Sequence, residues 1–378
     1  MGTLPQPSGR GNEMNWESIR AQFPALEHWT YLNTATYGHV PLRSQKAVEN
    51  HFARRNETAC SDFMRWFDDV DRIRALIGEL IHCNAEDIAF VMTAASALSL
   101  LLGGVEWQPG DRIVTLRDEF PNQYYFAASL ARRGVELIEM DTIDALPERT
   151  RAVCVSTVNY SSGYRPDLEA VSRLAHARGA LLYVDGTQSL GALRFDVAAV
   201  QPDMLAVDPY KWLISPNGAS FFYISPELRK TLRPTVMGWR SDKGWRAVDD
   251  LLHGAPELPE GAEKYEGGML NFPSLYALGE SVRMVLEIGP ERIEGRVLEL
   301  AGAVADLLRR AGAKVRHENT NIVAGYWPDR DVSALARDLQ ARRIVVAARH
   351  GNLRVSPHFY NAEADLEKLE ARLKEKGA

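Results

Sequence analysis

Between positions 88 and 224 short apolar runs alternate with stretches of helical spacing. The runs are Ile88–Met92, Arg112–Leu116, Val135–Met140, Ala152–Ser156, Ala180–Val184, Met204–Val207 and Ser220–Ile224. Most are rich in β-branched or aromatic residues and largely continuous in their hydrophobicity, which predicts strands buried on both faces of a sheet. After the first run, Leu98, Leu101, Leu102 and Val105 repeat at helical spacing. Leu168, Val171, Leu174 and Ala175 share one helical face, with Asp167 placed as a cap and Gly179 just past the end. Strands interleaved with helices predict an α/β domain with a mostly parallel seven-stranded sheet.

The pattern changes after that. Residues 240–272 are rich in Gly, Pro and charge and read as a connector. A long helical stretch is expected over 276–311. A smaller α+β region follows, with strands at Ile322–Trp327, Ile344–Ala348 and Leu353–Ser356 and helices near 331–341 and 363–376. The expected division is a tail at 1–13, a large domain with an N-terminal arm at 14–255, and a small C-terminal α+β domain at 256–378. No internal repeat is visible.

Composition narrows the function. The 378 residues hold 44 Lys and Arg against 50 Asp and Glu, a net charge of −6. That balance gives no electrostatic case for nucleic acid or an anionic membrane as partner. No apolar run approaches the roughly 18 residues of a membrane span. The three cysteines, Cys60, Cys83 and Cys154, are too few and too scattered for a disulfide framework or a zinc site. Residues 1–13 contain no hydrophobic stretch of the signal-peptide kind. The expectation is a cytoplasmic protein without a bound metal.

The strongest chemical signal lies between Tyr183 and Gly218. Asp185 ends an apolar run and opens Asp185-Gly186-Thr187-Gln188, while Lys211 follows another run and sits between Tyr210 and Trp212. A residue at the carboxyl end of a parallel strand faces the ligand crevice of an α/β sheet. A carboxylate and a lysine converging there suit pyridoxal phosphate: the lysine amine bonds to the cofactor aldehyde, and the carboxylate pairs with the protonated pyridine nitrogen.

These residues resemble the class V aminotransferase family of fold-type I pyridoxal-phosphate enzymes, which includes cysteine desulfurases, kynureninases and isopenicillin-N-epimerase-like proteins. The resemblance runs from Tyr31 to about Asn361. Tyr31–Gly38 looks like the family's opening turn, Asp185–Gln188 like its aspartate motif, Tyr210–Trp212 like its lysine motif, and Arg349–Asn361 like its C-terminal substrate-binding segment.

It implies Lys211 as the Schiff-base lysine and Asp185 as the partner of the pyridine nitrogen, both catalytic. It further implies Gln188 on the cofactor's phenolic oxygen, Phe120 stacked on the ring, and Ala94, Ala95 and Ser96 in the phosphate loop. Tyr210 resembles a phosphate-contacting tyrosine, and Asn159 and Tyr160 resemble a loop beside the cofactor. Arg354 aligns with the arginine that binds the substrate α-carboxylate, with Asn33 and Gln123 lining the same cleft. Two departures stand out. Ala94 and Ala95 lack the usual hydroxyls, and Met269 stands where many relatives have a threonine that reaches the neighbouring subunit's phosphate. His39, His350 and His358 read as structural.

The implied partners are a small-molecule amino acid, a 2-oxo acid and a second copy of the chain. Aminotransferase is the first label. An amino-acid epimerase or C–S lyase is the alternative, a kynureninase-like hydrolase stands behind these, and a catalytically silent cofactor-binding homologue is the non-enzyme reading. Cysteine desulfurase is disfavoured, because Arg349–Pro357 contains no cysteine.

Overall fold

A computed structural model of the chain describes residues 15–375; the expected tail at 1–13 lies outside them. In chain order an arm carries α1 (Trp16–Arg20) and β1 (Thr30–Tyr31), followed by α2 (Leu42–Thr58) and α3 (Phe63–Ile81). Then come β2 (Ile88–Val91), α4 (Ala94–Gly104), β3 (Arg112–Leu116), α5 (Pro121–Ser129), β4 (Glu136–Met140), β5 (Thr150–Ser156), α6 (Leu168–Ala177) and β6 (Leu181–Asp185). The same layer continues through α7 (Val197–Val200), β7 (Met204–Val207), β8 (Ser220–Ile224) and α8 (Pro226–Thr231). The remainder is α9 (Phe272–Ile288), α10 (Pro290–Arg310), β9 (Lys314–Val315), β10 (Val323–Tyr326), α11 (Val332–Ala341), β11 (Ile344–Val345), β12 (Ala347–Arg349), β13 (Asn352–Val355) and α12 (Glu363–Glu375).

All seven apolar runs became strands of one sheet, ordered β2-β8-β7-β6-β5-β3-β4. Pairing is parallel from β4 through β7, and only β8 runs against its neighbours. Alternate residues feed two cores. Leu182, Val184, Leu205 and Val207 face one cluster together with α3, α6 and α9. Cys154, Tyr183, Met204 and Ala206 face another together with α4 and α5. Burial on both faces explains why these strands read as continuous apolar runs.

The local signals acted as the residues suggested. The Asp167 carboxylate accepts from Ala170 N–H at 2.9 Å and caps α6. Gly179 takes φ +65° beyond its end. Up to the start of α9 at Phe272, residues 240–271 form no α-helix or strand, only two single-turn 3-10 segments, the first of which begins at Trp239.

Two expectations are corrected. The stretch 276–311 is two helices rather than one, because Gly289 adopts φ +97° and Pro290 starts α10. A proline at the first helical position and a left-handed glycine before it end one helix and begin the next. The run Ile344–Ala348 is also split. β11 pairs in parallel with β1, while β12 joins the antiparallel sheet β12-β13-β10-β9.

The arm is clamped to the far end of the chain. Arg20 donates to both carboxylate oxygens of the buried Asp365, at 2.7 and 3.1 Å. An isolated bridge pairs Asn33 with Ser356. The turn at 33–38 is thereby carried to the edge of the large sheet.

Candidate active site

The strand directions bring the candidate residues together. β2 is antiparallel to β8 and β8 antiparallel to β7, so β2, β3, β5, β6 and β7 all end on one edge. From those ends come Thr93–Ser96, Glu119–Phe120, Asn159–Tyr160, Asp185–Gln188 and Asp208–Lys211. From β3 the chain steps outward to β4 and then crosses back over β3 to β5 on its other side, and such a reversal of direction opens a crevice at the carboxyl edge.

Lys211 lies in that crevice and is buried. Burial pulls its ammonium pKa down to about 8; Asp185 and Asp208 counter this, while Arg354 and Arg349 add to it. Its Nζ sits 5.5 Å from the ring centres of both Phe120 and Tyr210. The lysine loop is held by close backbone contact. Gly38 N–H donates to the Tyr210 carbonyl at 2.9 Å. A Cβ at Gly38 would fall 1.9 Å from the Lys211 carbonyl oxygen, and one at Gly191 would fall 2.3 Å from that of Trp212. Gly38 closes the Tyr31–Gly38 turn, and Gly191 follows the Asp185–Gln188 motif.

Asp185 ends β6 and is buried; burial raises its carboxyl pKa, against hydrogen bonds from Thr187 and the charge of Lys211. Its Oδ1 accepts from Thr187 N–H at 2.9 Å. A desolvated carboxylate of this kind is stabilised by a cationic partner. A protonated pyridine nitrogen is such a partner, so the ring end of the site fits pyridoxal phosphate.

Two carboxylates escaped the sequence reading. Glu119 accepts from Ser156 N–H at 2.8 Å and from Ser156 Oγ at 2.6 Å, and Gln123 Nε2 reaches the same hydroxyl at 3.2 Å. Burial, with the charge of Asp185 adding to it, pushes its pKa up to about 7. Asp208 Oδ1 accepts from Ala94 N–H at 2.7 Å and from Ser220 Oγ at 2.6 Å. The first amide of α4 is thus held by a carboxylate of the lysine loop. At that helix start Thr93 Oγ1 caps Ser96 N–H at 3.1 Å, and the exposed Ser96 hydroxyl meets Thr93 Oγ1 at 2.9 Å. Ala94 is buried and Ala95 half-buried.

The other predicted residues divide. Phe120 is 38% exposed, so it is not a core phenylalanine, and its ring meets Tyr160 edge-on at 5.3 Å. Arg354 is buried: Nη1 donates to the Tyr160 carbonyl at 2.6 Å, and Nη2 reaches Asn33 Oδ1 at 3.3 Å and Thr36 Oγ1 at 2.5 Å. Its Nε is buried without a partner. Gln188 is engaged at both ends, accepting from Trp212 Nε1 and donating to the Ala35 carbonyl, each at 3.1 Å. One amide hydrogen is left over. Asn159 builds a turn: its Oδ1 accepts from the amides of Ser161 and Ser162, and its Nδ2 donates to the Asp118 carbonyl. Its neighbour Tyr160 is the residue that meets Phe120. Met269 is exposed.

The histidines are tied into the scaffold. His358 Nδ1 accepts from Phe359 N–H at 2.8 Å and its Nε2 donates to the Trp212 carbonyl at 2.8 Å. His39 packs edge-on against Tyr31 at 4.3 Å, and His350 Nε2 shares a 2.6 Å hydrogen bond with the Tyr160 hydroxyl.

Comparison with known proteins gives a consistent picture. The family model Aminotransferase class-V matches residues 40–369. The chain is 27% identical over 296 residues to a probable cysteine desulfurase of Methanothermobacter thermautotrophicus, spanning 74% of this chain and 72% of that protein. It is 25% identical over 390 residues to isopenicillin N epimerase of Streptomyces clavuligerus, spanning 94% and 96%. A solved structure of a C-DES variant with glycine covalently linked to its PLP cofactor superposes with a TM-score of 0.85 at 20% identity, covering 94% of this chain and 98% of that one.

Proposed function

The chain belongs to the class-V aminotransferase family and is a pyridoxal-phosphate-dependent enzyme, and we propose that it exchanges the amino group of an α-amino acid with a 2-oxo acid. The observation that carries this reading is a buried amine, Lys211, facing a buried carboxylate, Asp185, at the carboxyl edge of the sheet. When bound, the cofactor supplies an aldehyde that joins amines and a protonated ring that draws electrons from the bonds around the attached carbon.

The chain's own groups do the rest. With its pKa held near 8, Lys211 keeps an appreciable neutral fraction near pH 7 and acts as a nucleophile. Its Nζ, when not joined to the cofactor, would take the proton from the substrate Cα as general base. Asp185 keeps the ring nitrogen protonated. Phe120, its ring centre 5.5 Å from Lys211 Nζ, is assigned to cover one ring face. The remaining Gln188 amide hydrogen points to a role at the phenolic oxygen, and Ala94, Ala95, Ser96 and Tyr210 surround the phosphate end. Arg354, positioned by Asn33 and Thr36, takes the α-carboxylate by its charge and by the donors those contacts leave, the unpartnered Nε–H among them. Asn159 acts through the shape of the loop that carries Tyr160.

A persulfide route is disfavoured, because Arg349–Pro357 holds no cysteine and the last cysteine of the chain is Cys154. Cys154 sits inside β5, and burial pushes its thiol up to about 12. The proposal includes a homodimer and a cytoplasmic location. Among the described residues no helix is long and apolar enough to cross a membrane.

The test is twofold. Borohydride reduction of the holoenzyme should fix a pyridoxyl group on Lys211, and Lys211→Ala should lose the visible absorbance while keeping its fold by circular dichroism. With amino acids offered, a 2-oxo acid appearing only when an amino acceptor is present supports transamination. A racemised amino acid, or pyruvate with ammonia and a thiol, replaces that reaction with epimerisation or C–S cleavage. Visible absorbance surviving in Lys211→Ala rejects the lysine assignment.

A further inference from the structure

The distal half of the crevice carries more positive charge than an α-carboxylate requires. Arg349, at the end of β12, and Arg354, on the adjacent β13, both act on Lys211, and Arg349 acts on Arg354. Both guanidinium groups converge on one hydroxyl: Thr36 Oγ1 is 2.5 Å from Arg354 Nη2 and 3.4 Å from Arg349 Nη2. Arg354 has lost its water, and burial together with Arg349 brings its pKa down to about 9. The remaining protein contacts of the two side chains are neutral: the carbonyls of Ala348 and Tyr160 and the amide oxygen of Asn33. Among the described residues neither arginine has a carboxylate within ion-pair distance. Elsewhere the chain neutralises its buried arginines, as where Glu266 lies between Arg74 and Arg240.

Two like charges side by side, one of them desolvated, raise the energy of the empty site, and an anion entering it lowers that energy. One α-carboxylate answers one guanidinium. Arg349 is only half-buried, and its charge acts on the Tyr160 phenol, whose hydroxyl bonds His350 Nε2 at 2.6 Å. Beyond the Ala348 carbonyl and Thr36 its N–H groups have no hydrogen-bond partner among the described residues.

We propose that Arg349 reads a second anionic group, so that the site takes α-amino acids whose side chain ends in a carboxylate or sulfinate. This rests on the reading of Arg354 as the α-carboxylate partner. Arg349 then sets specificity, and the planar guanidinium favours oxyacids that accept two parallel hydrogen bonds.

The experiment titrates the holoenzyme with amino acids and follows the cofactor's visible absorbance, which reports binding without turnover. The probes are L-aspartate against L-asparagine, L-glutamate against L-glutamine, and cysteine sulfinate against alanine. At least one acid should bind about tenfold or more tightly than its neutral counterpart, the scale of a charge-assisted hydrogen bond. The pair that responds distinguishes carboxylate from sulfinate. In Arg349→Gln the acid-to-neutral ratio should fall to near one, and Arg349→Lys should restore part of it. Retained cofactor absorbance shows that both variants are folded. Equal affinity for acids and neutral counterparts in the native enzyme overturns the proposal, as does a ratio that survives in Arg349→Gln. Either result with Lys211 still fixed by borohydride removes only the substrate class; failure to fix Lys211 removes the underlying reading as well.

Discussion

On the proposed reading the chemistry turns on Lys211, and its burial makes a measurable claim. An exposed lysine becomes nucleophilic only as pH approaches about 10.4, whereas this amine crosses its midpoint near 8. Apoenzyme mixed with the cofactor should therefore capture it at a rate that rises with pH and levels off above about 8. Stopped-flow absorbance from pH 6 to 10 measures this, and a midpoint near that of a free lysine would show that the amine is solvated. Asp185 and Lys211 stood out in the sequence because one closes an apolar run and the other follows one shortly after, each with its motif around it. Glu119 and Asp208 did not. Each reads as an ordinary loop acid, and only the fold shows that Ser156 and the Ala94 amide are their partners. Arg349 lay within a quoted motif, but its significance depends on the lack of a neighbouring carboxylate, which no linear pattern records.

At the scale of elements, the seven strands were readable because both sheet faces are buried, so hydrophobicity itself marks them. The connector at 240–272 was readable only as a connector, for its composition shows turns and hides its anchor. Glu266 is that anchor. Its carboxylate is sealed between Arg74 at 2.6 Å and Arg240 at 3.0 Å, and it also accepts from Phe90 N–H at 2.8 Å. The link joins α3, the edge strand β2 and the segment that carries Met269. Despite complete burial its pKa is lowered, because the attraction of the two arginines together outweighs the desolvation. Glu266→Ala takes from both buried guanidinium groups their closest charge partner, leaving Arg74 only the more distant Asp71 at 3.3 Å and Arg240 only Glu263 at 3.6 Å. The expected cost is about 3–5 kcal/mol in urea unfolding, the range for breaking a buried ion pair. A loss below about 1 kcal/mol would mean that water enters and solvates the arginines. The break between α9 and α10 was visible in principle at Gly289-Pro290. Helical periodicity continues across it, and the pattern masked the punctuation.

Across the whole molecule the least legible feature was how the two ends of the chain close over the lysine loop. The contacts of Asn33 with Ser356, β1 with β11 and Arg20 with Asp365 join residues more than three hundred positions apart, and no local period encodes such pairs. His358 is the link that reaches the loop itself, through its bond to the Trp212 carbonyl. Nδ1 accepts from the following amide, so Nε2 must carry the single proton and the ring must be neutral. Full burial lowers its pKa from 6.5 to about 3. The sign of the linkage follows. From pH 6.5 down to about 3 the unfolded chain binds a proton at this histidine that the folded chain refuses. Stability therefore falls on acidification, by about 1 kcal/mol per pH unit from this group alone. His358→Gln preserves a donor for the Trp212 carbonyl but cannot titrate. Its unfolding free energy should depend less steeply on pH between 6 and 4 than that of the native protein, whatever the difference between them at pH 7. Parallel slopes would mean that the histidine is protonated within the fold and that the closure over Lys211 rests on the other contacts.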